Sequence, residues 1–363
     1  MALLNPPDFQ PMLKTMISPF RSHLAGQPDY LDQATKNSIR QDLINELLPK
    51  NGKLKRYETW YLEYYMRPYM HKLTKNEFLR RWADILDNNT IITEENKISA
   101  VDVRKDDSWM IRFSELLAES QFRGGIPNNR VAYDTIMNNI SLNSFSHPNK
   151  SVRELSYVFR FGQLAHLEQM KKEGVIRLAN SRTYRSNSMN HGQKDDENNF
   201  TFTVFPELLN NLDGQTGLAN IDPVTRQDIY KITHQHPQDY LMWCASHHYD
   251  FRIPHAFNAE AVAIITNPKK FKKDVSKALR LQNLYPTVRK VGYFDPYLDL
   301  ETKLDVRFSK HFRFSYQNEF RVVAQGKNLP EYLFLTVPEL PEYCDIHKLI
   351  TPTPQSKSSA LHP

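Results

Sequence analysis

Through the first third of the chain apolar residues return every three or four positions. Farther on they alternate or bunch in short runs, so helices are expected first and strands later. LDQATKNSIRQDLINELLP (31–49) has helical spacing and stops at Pro49-Lys50-Asn51-Gly52. RYETWYLEYYMRPYMHKL (56–73) puts Tyr57, Trp60, Tyr61, Tyr64 and Tyr65 at helical spacing, until Pro68 kinks or ends the helix. Thr74, three residues before Glu77, forms a capping box that opens the next helix, TKNEFLRRWADIL. DSWMIRFSELLAESQF is a further helix, ended by Gly124-Gly125. From about residue 150 the texture changes. LSYVFRFG predicts a strand, QLAHLEQMKKEG a helix closed by Gly174, and VIRLANSRTYR a strand running into a loop. FTFTVF, YLMWCASHHYD, AEAVAIITN, VRKVGYFD, FSKHFRFSYQNEFRVV and EYLFLTV are expected as strands, and DPVTRQDIYKITHQ as a helix.

Many short strands with few helices between them predict an α+β fold: a helical N-terminal domain over 1–145, then a mixed or antiparallel sheet domain over 150–350. The tail, 351–363, is poor in apolar residues and is expected to be flexible.

Composition narrows the class. With 40% hydrophobic and 24% charged residues, the 363-residue chain has the balance of a soluble globular protein. No window reaches the roughly eighteen consecutive apolar residues of a spanning helix, and the prolines of MALLNPPDFQPMLKTM do not suit a signal peptide, so no membrane partner and a cytoplasmic location are expected. Cys244 and Cys344 are too few for a disulfide framework. A net charge of +6 favours polyanionic partners, and the eleven glycines form neither a dinucleotide fingerprint nor a Walker-type phosphate loop.

Three clusters carry candidate chemistry. Arg160 closes a strand just before a helix, where its rigid fork suits phosphate oxygens and Gly162 permits close approach of a ligand. Ser181, Thr183 and Tyr184 follow the next strand; hydroxyls there can brace a carboxylate and the tyrosine can stack on a planar ring. In SYQNEFRVV, period-two alternation would send Gln317, Glu319 and Arg321 from one strand face. A carboxylate so placed can bind a ribose hydroxyl and stabilise positive charge at an anomeric carbon, while Gln317 holds an acceptor. Each cluster also has a plain structural reading, as a solvated strand face or an ordinary turn.

Taken in order, Arg160, the Ser181/Thr183 cluster and Gln317-x-Glu319 resemble mono-ADP-ribosyltransferases of the Arg…Ser…Glu type. The same region, about 152–325, is similar to an uncharacterised bacterial family found among toxins and phage-defence genes, with Asn187, Trp243 in LMWCASHHYD, and Lys310, Gln317, Glu319 and Arg321 at its motif positions. Ser181-Arg182-Thr183 is only an approximate Ser-Thr-Ser, and Gln317 stands where arginine-modifying members have an acidic residue. The resemblance implies NAD as substrate, with Arg160, Gly162, Ser181, Thr183, Tyr184 and Trp243 around it and Glu319, Gln317 and Arg160 as the catalytic set. It also implies a protein or nucleic-acid acceptor other than arginine, and a toxin or defence role in which an inhibitor protein is a possible partner.

Three rivals remain. His234, His236, Cys244, His247, His248 and His255 contain zinc-ligand types without zinc-site spacing. Asp299, Glu301 and Lys303 have the chemistry of a magnesium nuclease. The aromatic helix amid Lys53, Lys55, Arg56, Arg67, Lys72, Arg80 and Arg81 offers either a stacking platform for single-stranded nucleic acid or a packed core.

Overall fold

A computed structural model describes residues 33–47, 54, 56–66, 68–92, 98–100, 108–123, 157–185, 199–204, 230–236, 238–250, 252–298 and 304–349. The expected tail lies outside these residues. The chain divides into two compact units; described residues before 124 belong to the first and nearly all those after 156 to the second.

The first unit contains α1 (Gln33–Leu47), α2 (Arg56–Met66), α3 (Lys75–Asn89) and α4 (Ser108–Phe122). A two-stranded antiparallel hairpin that the sequence reading missed, β1 (Thr90–Ile92) with β2 (Ile98–Ala100), separates α3 from α4. The capping box forms as expected: Glu77 N–H donates to Thr74 Oγ1, and Thr74 N–H to a Glu77 carboxylate oxygen. Helix α2 stops before Pro68, and Tyr69–Lys72 make one 3-10 turn. Tyr61, Tyr64, Tyr65 and Tyr69 are buried, with Tyr64 Oη donating to Glu119 at 2.6 Å. Arg123 pairs with the same carboxylate and with the carbonyls of Met70 and Leu73. Of the two readings of this helix, Tyr61, Tyr64 and Tyr65 follow the packed core, whereas Trp60 is half-buried with the Arg56 guanidinium 5.3 Å from its ring centre.

The second unit is α+β; every pairing in its main sheet is antiparallel, and the short pair Gly292–Phe294 with Ser309–His311 is parallel. β3 (Val158–Gly162), α5 (Leu164–Glu173) and β4 (Val175–Asn180) follow one another as the alternation predicted. Helix α5 ends because Gly174 adopts φ 67°, and its N–H caps Met170 O. The remaining elements are β5 (Asn199–Val204), β6 (Tyr230–Gln235), β7 (Leu241–Ser246), α6 (Arg252–Ala256), β8 (Ala261–Ile265), α7 (Pro268–Leu281), β9 (Tyr285–Lys290), β10 (Gly292–Phe294), β11 (Ser309–His311), β12 (Glu319–Gln325), β13 (Tyr332–Thr336) and β14 (Cys344–Lys348).

Three expectations are corrected. Residues 230–235 are a strand paired with β5, not the end of a helix; Thr233 Oγ1 meets Thr201 Oγ1 at 3.1 Å across the pair, a partner too distant in the chain for local spacing to reveal. Helix α7 went unread, although Phe271, Val275 and Leu279 form a fully buried stripe four residues apart behind an Asn267 cap. The segment 308–323 is not one strand. After β11 it winds into a 3-10 helix over Phe312–Gln317, passes Asn318 at φ 39°, and only then becomes β12. Asparagine tolerates that left-handed conformation, which resets the register immediately before Glu319.

The main sheet runs β13-β4-β7-β3-β8-β14, with β12 and then β9 attached to the other edge of β7. Its principal core collects Leu178, Trp243, Ile265, Phe271 and Val322 beneath α5 and α7. No helix among the described residues is long and apolar enough to cross a membrane.

Candidate functional site

The site arises where the sheet forks. One edge of β7 pairs with β12 along its length, from Glu319↔Ser246 to Ala324↔Leu241. Its other edge is shared: β4 takes Leu241 and Met242, whereas β3 meets it only at Ser246. β3 and β4 therefore diverge from one strand, and the β7 backbone between them needs another hydrogen-bond partner. Arg160 fills the gap: its Nη1 donates to Cys244 O at 2.6 Å and its guanidinium lies 5.7 Å from the Trp243 ring centre.

Beside the fork lies a cavity of about 130 Å³. Arg160, Tyr184, Cys244, Ser246, Lys310, Gln317 and Glu319 line it, and Phe159, Phe161 and Phe257 supply aromatic surface. Among the described residues its charged lining consists of Arg160, Arg177, Lys310 and one carboxylate, Glu319.

Glu319 is 5% exposed and opens β12. Arg321, completely buried, projects to the same face and donates from Nε to Glu319 Oε1 at 2.7 Å. Oε2 is held less closely, by Lys310 Nζ at 3.2 Å and Arg321 Nη2 at 3.5 Å. Burial alone would raise the Glu319 pKa, but Arg321, then Lys310, outweigh it and hold the carboxyl well below the usual range. The carboxylate is therefore a fixed anion at neutral pH.

Lys310 Nζ also donates to Gln317 Oε1 at 3.2 Å. This contact brings Gln317 beside Glu319 although the two are not on one strand. It turns the amide oxygen toward the ammonium, and Gln317 Nε2 reaches Tyr316 Oη at 3.4 Å. The backbone is fixed as well: Ser246 Oγ donates to Gln317 O at 2.6 Å, and Glu319 N–H donates to Tyr293 Oη at 2.7 Å. Burial, and next the Glu319 charge, push the Tyr293 hydroxyl pKa upward, so it stays protonated. Lys310 and Tyr293 come from opposite positions of the parallel β10–β11 pair, which braces the carboxylate from side chain and backbone.

Of the residues singled out in the sequence, Arg160, Tyr184, Lys310, Gln317 and Glu319 meet in this cavity. Gly162 and Trp243 line a neighbouring one. Ser181 and Thr183 line neither: buried Ser181 ties the end of β4 to Tyr240, whose N–H donates to Ser181 Oγ at 3.3 Å, and Thr183 Oγ1 caps Asn180 O at 2.8 Å. Sequence reasoning missed Arg177, Ser246 and Tyr332 in the lining, and named Cys244 only as a zinc-ligand type. Arg177 alone had a signal, as the one charge inside VIRLAN.

Among the described residues no group of three His, Cys, Asp or Glu side chains is placed to hold a metal ion. Asp299, Glu301 and Lys303 lie outside the described residues, as does Asn187. Comparison with family models, curated proteins and solved structures finds no match. In chemical terms, the arrangement offers cations for an anionic ligand, aromatic faces for a planar ring, an amide donor and a carboxylate charged at neutral pH.

Proposed function

We propose that this protein is a mono-ADP-ribosyltransferase that moves ADP-ribose from NAD to a macromolecular acceptor, nucleic acid or protein, as a toxin or defence effector. One observation carries the reading: Arg160, Gln317 and Glu319, far apart in sequence, line a single cavity with a fixed carboxylate. In this reading Arg160 binds the diphosphate, and Tyr184 stacks on nicotinamide. Glu319 takes a ribose hydroxyl on its less tightly held Oε2 and stabilises the oxocarbenium-like transition state. The bond from the anomeric carbon to the nicotinamide nitrogen breaks, its electron pair leaving with nicotinamide. The acceptor bonds to that carbon and loses a proton. Trp243 supports Arg160 from below, while Ser181 and Thr183 shape the turn that carries Tyr184.

The test is nicotinamide release, and label transfer from tagged NAD into a host lysate, by wild type and Glu319→Gln, with thermal melting as a folding control. A folded variant slowed by about 10²–10³-fold supports the reading. Equal rates, or a wild type inert toward NAD, refute it. A second reading is favoured by the saturation of Glu319 with cationic partners: the cavity binds a nucleotide anion without chemistry. It predicts nucleotide binding with no nicotinamide released.

A further inference from the structure

The cavity beside Glu319, of about 130 Å³, has a neighbour across Arg160. A second cavity of about 70 Å³ opens in the wedge between β3 and β4, under α5. Among the described residues the two share Arg160 and Arg177, one from each diverging strand. A ligand long enough to occupy both must therefore pass two guanidiniums at its middle, and a diphosphate is the linker such forks suit.

The outer cavity has surfaces for a nucleoside. Phe334 is 64% exposed on edge strand β13, directly across from Arg177 in the β4 register. A large ring so exposed beside a cavity is a stacking face. Tyr332, two residues earlier on the same face, sits 5.0 Å beneath the Arg177 guanidinium and so orients it. Gln163 just before α5, and His166 and Gln169 on it, at three-residue spacing, supply polar groups to the opposite wall.

We propose that the outer cavity binds the nucleoside half of a nucleoside diphosphate, with its base against Phe334 and its phosphates between Arg160 and Arg177. This rests on the transferase reading for the identity of the whole ligand, but not for the diphosphate site itself.

The test titrates the full chain with ADP, inorganic pyrophosphate and adenosine, comparing wild type with Arg177→Ala, Arg177→Lys and Phe334→Ala. Both positions are exposed, so the variants should keep the fold; melting checks this. Expected are ADP binding weakened tenfold or more by Arg177→Ala, less so by Arg177→Lys, and pyrophosphate binding that responds to Arg177 but not to Phe334. Absence of saturable ADP binding at millimolar concentration, or equal ADP affinity in all the variants, overturns the proposal. Glu319→Gln separates it from the transferase reading, since ADP affinity should survive that change. A wild type that binds ADP through Arg177 yet leaves NAD intact sinks the transferase and keeps the diphosphate site. NAD turnover with an unchanged KM in Arg177→Ala does the reverse.

Discussion

Lys310 is the residue on which the floor of the cavity turns, and Lys310→Met isolates its charge. The replacement keeps an unbranched apolar stem next to Phe314, over whose ring the ammonium now sits at 4.7 Å, and deletes two hydrogen bonds of 3.2 Å. Stripping a buried ion of its only partner costs about 3–5 kcal/mol. Glu319 is not stripped, because Arg321 stays at 2.7 Å. The loss is closer to that of one charged hydrogen bond, about 1.5–3 kcal/mol. At roughly 2–4 °C per kcal/mol for a unit of this size, the melting transition of the sheet unit should fall by about 3–12 °C at pH 7. The pH dependence is a stricter check. Since the Glu319 carboxyl is held below its ordinary range, its ion pairs contribute fully above the unfolded glutamate pKa of about 4.3 and are lost as pH falls through the lower folded value. The gap between wild type and Lys310→Met should therefore shrink on acidification below about pH 4. Urea melts at neutral and acidic pH measure both. An unchanged neutral midpoint, or a gap that persists undiminished in acid, would refute the account of Lys310 as a partner of Glu319.

Two further outcomes test the frame around the site. Gly174→Ala should lower stability by about 1–3 kcal/mol in a thermal melt, because φ is 67° there and an added Cβ would lie 2.3 Å from Val337 O. An unaltered midpoint would mean that the turn after α5 relaxes freely. The cysteines should also separate in a thiol-reagent assay. Cys344 is buried, with burial pushing its thiol up to about 12, and should react only on unfolding. Cys244, half-buried on the cavity wall with its thiol hydrogen-bonded to the Glu319 carboxylate, should react slowly but measurably in the native protein and be protected by NAD; equal reactivity of the two cysteines would contradict this arrangement.

How much of this was legible in the chain depended on the range of the interactions involved. Local rules sufficed for the Thr74–Glu77 box, the Gly174 stop and the β3–α5–β4 succession, since each is decided within a turn or an alternation. Where a strand needed a distant partner, as β6 needs β5, local periodicity misled. The Asn318 reversal broke an alternation that looked continuous.

For the site, the sequence alone singled out Arg160, Tyr184, Gln317 and Glu319, which the fold brings to one cavity. It could not show that Ser181 and Thr183 serve a turn, that Lys310 joins Gln317 to Glu319, or that Arg177 faces the fork with Arg160. Those facts follow from how β7 divides one edge between β3 and β4 while giving the other to β12. Strand pairing is a contest among backbone edges scattered over the whole unit, and only the folded chain decides which edges meet.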